Sequence, residues 1–313
     1  MTEVLKNYQA FGLNVSSAIP LPDLPECGGP ADASIRYGKI TDAVADEKVG
    51  GRRVFENPGV KVRASQKAMY FDWARLGKVI IEGGEKVIVD PEPDTLVEDF
   101  HPFLTGPVLA VLLHQRGLFV LHASAVEIDG SVVAFLGSKG DGKSTLAACL
   151  KSRGHRLVSD DIVPVKFAAD EVLTLPGAPR IKLFNDSIEA IGANPAQFPK
   201  IHRFVEKRSF RFFQPVSPAP VRLDAVYILT ADDSINISRL NPVESFIEVI
   251  RNTHLNRYLE ALNCQTEYFE FCRKFVASVP VFRLARPHDF EKIGRIGELL
   301  EKHRAEIGSS TMF

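Results

Sequence analysis

Residues 1–100 carry short apolar runs, alternating or β-branched and broken by turn formers, which is the pattern of strands rather than helices. Gln9–Val15, Ala33–Tyr37, Val60–Val62, Ala68–Asp72, Val79–Glu82 and Lys86–Asp90 are the candidates. Pro20, Pro22 and Pro25 exclude the segment holding them from a central strand. Gly83-Gly84 between the last two runs predicts a hairpin. Asp94–His101 and Leu104–Gln115 then switch to a helical rhythm. Ser131–Leu136 is apolar enough for a buried strand, Thr145–Leu150 reads as a helix, and Leu157-Val158 as a short strand. Ile162–Phe167 and Glu171–Leu175 form a hairpin across Ala168-Ala169-Asp170. Residues 194–220, rich in proline, arginine and phenylalanine, read as a long loop or flap. Ala225–Thr230 is a buried strand, and Asn241-Pro242-Val243-Glu244 opens a helix with a capping box. A helical stretch from Tyr258 to Ser278, a strand Val281–Leu284 and an amphipathic helix over Asp289–Ile307 close the chain, with Ile293, Ile296, Leu299 and Leu300 on one face. The pattern predicts an α/β chain: a β-rich N-terminal domain over residues 1–105 and a second domain over 106–313.

Composition narrows the function classes. A formal charge of -1 and a pI near 6.7 argue against a general nucleic-acid binder, even though 202–214 interleaves basic and aromatic residues. The most apolar region, Pro107–Val126, is interrupted by His114, Gln115 and Arg116, so no membrane span is expected. Cys27, Cys149, Cys264 and Cys272 have no metal-binding spacing and read as buried or free thiols. The N-terminus lacks a signal sequence, and a cytoplasmic protein is expected. Self-association is left open. Trp73, beside Phe71 and Asp72, reads as a packing residue.

The chemistry concentrates at Gly137-Ser138-Lys139-Gly140-Asp141-Gly142-Lys143-Ser144, which fits G-x-x-x-x-G-K-[ST] and stands between the predicted strand and helix. Glycines here let backbone N–H groups turn toward phosphate oxygens, and the helix beginning near Thr145 points its positive end at the same anion. Lys143 supplies a mobile charge, and the Ser144 hydroxyl suits Mg²⁺. Gly154 closes the helix, and the next strand delivers Asp160 and Asp161 to the carboxyl edge of the sheet, where ligands of open α/β sheets bind. Adjacent carboxylates there suit Mg²⁺ binding and proton abstraction from an attacking hydroxyl. Arg180 and Lys182 alternate with Ile181 and Leu183, so on a strand both cations face one way. Lys207 and Arg208 are further candidates for contacting phosphate or an acidic peptide.

The run from His122 through the Gly137–Thr145 loop to Gly154-His155-Arg156-Leu157-Val158-Ser159-Asp160-Asp161 resembles the kinase core of the HPr kinase/phosphorylase family, whose folding unit is shared with phosphoenolpyruvate carboxykinases. The likeness is tight over those residues, looser to about residue 290, and does not cover 1 to about 105. Pro176–Leu183 and Val279–Pro287 resemble runs of HPr-kinase-like proteins, including the kinases found with lasso-peptide precursors. The resemblance implies ATP and Mg²⁺ as cofactors, Lys143 on phosphate, Ser144 on the metal, Asp161 as general base with Asp160 beside it, and His122 at the active site. The family's catalytic-loop glutamate has no clear counterpart, Asp186 and Glu189 being weak stand-ins. A family arginine falls on Asn241, with Arg239 two residues earlier. Forward transfer to a serine of a protein or peptide, whether HPr-like or a lasso-peptide precursor, is therefore expected more than the reverse reaction. Two alternatives stand beside it: a nucleotide-gated binding module, and a carboxykinase-type enzyme on a small carboxylate, for which further metal ligands are not found in the sequence.

Overall fold

The computed structural model describes residues 4–50, 53–169, 171–202, 205–212 and 219–310. The chain divides into two compact units, residues 1–120 with 253–271 and residues 121–252 with 272–313. The first unit opens with strands β1 (Lys6–Ala10), β2 (Leu13–Ser17) and β3 (Ala33–Tyr37) and helix α1 (Asp42–Val49). Strands β4 (Arg53–Asn57), β5 (Val60–Ala64), β6 (Ala68–Trp73), β7 (Gly77–Glu82) and β8 (Lys86–Pro91) follow, then α2 (His101–Phe103), α3 (Leu109–Gln115) and the short β9 (Phe119–Leu121). Strands β1 to β8 form one sheet in the order β1-β2-β3-β8-β7-β6-β5-β4.

The stretch Gln9–Val15 is two strands, not one. Phe11 and Gly12 take φ of 53° and 75°, a left-handed pair that turns β1 back onto β2. Gly83 and Gly84, at φ 58° and 70°, make the expected hairpin between β7 and β8. Helix α1 lies in a stretch with almost no apolar pattern. Only Ala45 and Val49, four residues apart, are buried, and they pack in a cluster with Tyr70 and Ile80. Helix α3 is tied to the sheet of this unit: the Gln115 side chain accepts from Gly84 N (2.8 Å) and donates to Ile81 O (3.3 Å). Trp73 stacks on Phe71 with ring centroids 4.7 Å apart and leans on Phe103 at 4.9 Å, so it packs as expected.

The second unit contains β10 (Ala123–Ile128), β11 (Ser131–Leu136), α4 (Lys143–Ser152), β12 (Arg156–Asp160), β13 (Val163–Ala168), β14 (Glu171–Thr174), β15 (Arg180–Phe184) and α5 (Asn185–Ala190). Then come β16 (Lys200–His202), β17 (Val205–Arg211), β18 (Val221–Ala231), β19 (Asn236–Arg239) and α6 (Pro242–Arg251). Helix α7 (Leu259–Leu262) belongs to the first unit, α8 (Gln265–Ser278) leads back to the second, and β20 (Val281–Arg286) and α9 (Ile293–Ser310) end the chain. The stretch from Tyr258 to Ser278 is thus two helices, separated at Asn263, which takes φ 51° and ends α7. Asn241 caps α6 with the capping box its sequence predicts.

The mixed sheet of this unit runs β12-β10-β11-β18-β20, with β11, β18 and β20 parallel and β10 antiparallel to both of its neighbours. Two antiparallel steps restore direction, so β12 runs the same way as β11. The carboxyl ends of both strands meet one edge, with Ser124 opposite Phe135 on one side and Asp160 on the other. Val133, Phe135, Tyr227 and Leu284 from the sheet, Leu146 and Leu150 from α4, and Ile296 and Leu300 from α9 form its buried core.

Residues 200–202 and 205–211, expected to be loop, are strands: β16, β17 and β15 form a three-stranded sheet in the order β15-β17-β16. Phe198, Phe210 and Phe212 lie against the core. Charge hid this strand: Glu206, Lys207, Arg208 and Arg211 leave β17 with Val205 and Phe210 as its large apolar residues, too few to show a period of two. Arg203, Phe204, Phe213, Gln214 and Pro215 fall outside the described residues, as does Asp170 of the β13–β14 turn.

Helix α9 is fastened to α4 and β12 through Glu301, whose carboxylate accepts from Arg153 Nε (2.9 Å), Arg153 Nη2 (2.7 Å) and His155 Nε2 (2.7 Å). The Arg153 bond, helped by His155 and opposed by burial, draws its pKa from 4.5 down to about 2. A depressed carboxylate stabilises the fold fully above its unfolded pKa and loses that stabilisation as pH falls through the folded one. Glu301→Gln is therefore expected to lower stability by about 1 kcal/mol at pH 7, the modest size of a partly exposed pair. The difference from wild type should shrink between pH 4.5 and pH 2 in urea melts. No helix among the described residues is long and apolar enough to cross a membrane, and all four cysteines are free thiols.

Candidate active site

Strand β11 is buried from Val132 to Leu136 and ends in a loop that only its glycines allow. Gly137, Gly140 and Gly142 take φ of 152°, 100° and 79°, a region that L side chains rarely adopt. Gly137 N donates to Asn252 Oδ1 (3.0 Å), and Ser138 N donates to the Asp141 carboxylate (2.5 Å), so the loop is held from α6 and from within. Gly142 stands at the cap of α4 with no side chain satisfying the helix. The first N–H groups of α4 therefore have neither intrahelical partner nor cap. A Cβ at Gly140 would meet nothing within 4 Å, so that face of the loop is open.

Lys143 folds back over the loop, and its Nζ donates to Gly137 O (2.7 Å) and Ser138 O (3.0 Å). The side chain is buried, which pushes the amine pKa down. Asp141, Asp160 and Asp161 oppose that shift. The next residue, Ser144, donates from Oγ to Asp160 Oδ1 (2.8 Å), which also accepts from Ser124 Oγ (2.6 Å). Lys182 N fills the other oxygen, Asp160 Oδ2, at 3.0 Å. A carboxylate with so many donors is fixed in direction.

Asp161 sits just past β12 at φ 77°, an uncommon conformation for a residue with a side chain. Lys182 Nζ donates to its Oδ2 (3.0 Å), and His122 Nδ1 lies 3.2 Å from its Oδ1 and from its backbone oxygen. His122, Lys139, Gly140, Gly142, Lys143, Ser144, Thr145, Asp160, Asp161, Lys182 and Lys207 all border one cavity of about 470 Å³. Lys207 enters it from β17, with its amine 4.9 Å from the centre of the Phe184 ring.

Other candidates lie apart from it. Arg180 is buried at the start of β15 and is not among the cavity's lining residues, although it shares a strand face with Lys182. Arg208 is also outside the lining: its Nε donates to Asn185 Oδ1 (2.8 Å) and Nη1 to Phe198 O (2.7 Å), which ties β17 to its neighbours. Gly137, Ser138 and Asp141 belong to the loop but are not among the cavity's lining residues. Of the stand-ins for the missing glutamate, Asp186 lines the cavity and Glu189 does not.

Sequence reading missed Ser124, Asn252, Ser187 and Arg286 as contributors. Thr145 Oγ1 donates to Ser187 Oγ (3.0 Å), linking α4 to α5. Arg286 Nη2 donates to Asp141 O in the loop. Ser124 had one signal, its position two residues after His122. The others lie 42 to 145 residues from the groups they touch, beyond any local pattern.

No family model matches this chain. Curated relatives do. The chain is similar to the HPr kinase/phosphorylase of Lachnoclostridium phytofermentans, 42% identical over 53 residues, or 17% of each chain. It is 43% identical over 72 residues to that of Limosilactobacillus reuteri, 23% of this chain and 22% of the relative. With that of Lactobacillus delbrueckii subsp. bulgaricus it shares 39% identity over 84 residues, 27% and 26%. The chain thus spans between 17% and 26% of the length of these relatives. A solved structure, the Hpr(Ser) kinase/phosphatase from Coxiella burnetii, aligns at 14% identity over 60% of this chain and 98% of that one, with a TM-score of 0.33, too low to support a statement about shared fold.

Proposed function

We propose that the second unit is a phosphotransferase that moves the γ-phosphoryl group of ATP to a serine hydroxyl of a protein or peptide. One observation carries this reading: the Lys143 amine, the Ser144–Asp160 pair and the Asp161 carboxylate border a single cavity at the open N-terminus of α4. Similarity to curated HPr kinase/phosphorylases supports it independently of the geometry.

The residues fit the groups required. Unsatisfied N–H groups at a helix start, an open glycine face and a primary amine form an anion cradle. Two oxygen donors, Ser144 Oγ and Asp160 Oδ1, stand side by side for a hard divalent cation. Mg²⁺ bound there would neutralise phosphate charge, and ATP is the phosphoryl donor. Lys143, now donating to Gly137 O and Ser138 O, has only to turn from the loop carbonyls to reach phosphate oxygen. Asp161 takes the proton from the acceptor serine as its oxygen attacks, and Lys182 and His122 keep the carboxylate aimed at the cavity. Lys182 and Lys207 give the acceptor side a positive wall, which suits a segment with acidic residues near its serine.

The test is incubation of the full chain with Mg-ATP and candidate acceptors, an HPr-like protein and a lasso-peptide precursor among them, read by mass spectrometry. A serine heavier by one phosphate is the expected product. ADP release with no modified acceptor would favour the nucleotide-gated module instead.

A further inference from the structure

Arg286 ends β20, and its guanidinium is buried beside the loop and lines the cavity. Nη2 donates to Asp141 O and Nη1 to Pro287 O (3.3 Å), while Nε has no hydrogen-bond partner. Neither Arg286 nor Lys143 forms a salt bridge among the described residues. Both cations meet the N-terminus of α4, which carries partial positive charge itself. Asp141 is the acid whose charge acts on Arg286, and its carboxylate is already engaged by Ser138 N. Gly142 belongs to the same arrangement, since a Cβ there would collide with Arg286 Nη2. Buried positive charge without an ionic partner is unfavourable, and burial pushes the guanidinium pKa down. An arrangement like this stabilises little by itself and becomes favourable when an anion enters.

We infer that Arg286 binds the polyphosphate of the nucleotide, as a second cation beside Lys143, in addition to holding the loop at Asp141. The inference rests on the nucleotide reading of the site and deepens it. A planar fork reaches from the Asp141 carbonyl to a phosphate oxygen without leaving its place, which a lysine there would do less well.

The rival account is a structural strut that merely supports the loop, and the two differ in sign. The experiment compares wild type, Arg286→Gln and Arg286→Lys as full chains. Binding of Mg-ATP and of inorganic tripolyphosphate is measured by calorimetry, and ligand-free unfolding by thermal melts. Removing the charge should weaken both ligands by about ten- to a hundredfold, the loss expected for charged hydrogen bonds to phosphate. Arg286→Lys should recover part of that loss. Ligand-free Arg286→Gln should melt at or above the wild-type temperature, because an unpaired buried charge is gone. A lower ligand-free melting temperature in both variants, with no advantage of lysine over glutamine, would establish the strut and overturn the proposal. Wild-type affinity in Arg286→Gln would overturn it alone. A wild-type protein that binds neither ligand would overturn the nucleotide reading and this inference together.

Discussion

Replacing Asp161 by asparagine is expected to lower phosphoryl transfer by about 10²–10⁴-fold, the range attributable to a positioned general base, while ATP affinity changes little. The carboxylate is engaged by Lys182 Nζ (3.0 Å) and His122 Nδ1 (3.2 Å). Its loss therefore removes the proton acceptor and keeps the hydrogen bonds of the Lys143 amine and of the Ser144–Asp160 pair. Asparagine matches aspartate in size but cannot accept a proton near neutral pH, so Lys182 loses an ionic partner without a cavity being opened. The φ of 77° at Asp161 is no obstacle, since asparagine tolerates the left-handed region better than most residues. Single-turnover transfer and ATP titration on the same preparation check this. Unaltered transfer would remove Asp161 as the base, and parallel loss of binding and transfer would make it a binding group.

The predicted catalytic centre was legible where its parts are close in sequence. Gly137 to Ser144 and Asp160-Asp161 are each set by a strand end and a turn, and one antiparallel neighbour, β10, brings them to the same edge. What the sequence concealed has a physical reason in each case. Charged residues in β17 surround Phe210, which packs on the core, so composition outweighed period. Helix α1 buries only two small side chains and leaves little hydrophobic trace. Helix α3 is joined to the first sheet by Gln115, which reaches back to a hairpin more than thirty residues earlier, beyond any local pattern. Arg286 sits at the end of a strand that reads as structural, and only its arrival under Asp141 gives it a site.

Lys143→Met is expected to reduce transfer by about 10²–10³-fold, as for loss of one preorganised donor to developing charge, and to weaken ATP binding about ten- to a hundredfold. The amine is buried, and that burial is the largest influence on its pKa, which it lowers from the ordinary lysine value of 10.5. A lysine with a lowered folded pKa is more easily charged in the unfolded chain, so unfolding takes up a proton between the two pKa values. Ligand-free stability should accordingly rise with pH through that window, and the rise should be smaller in Lys143→Met. ATP binding has the opposite slope, because phosphate favours the charged amine: wild-type affinity should fall as pH climbs through the lowered pKa. The neutral variant should lack this dependence from Lys143. Melting curves and calorimetric titrations between pH 7 and pH 10.5 measure both. The opposed slopes follow from a single charge kept dry at the helix start, stabilised less by the protein than by the anion it awaits. Parallel slopes, or a variant less stable than wild type without ligand, would mean that Lys143 serves the loop through its bonds to Gly137 and Ser138 alone.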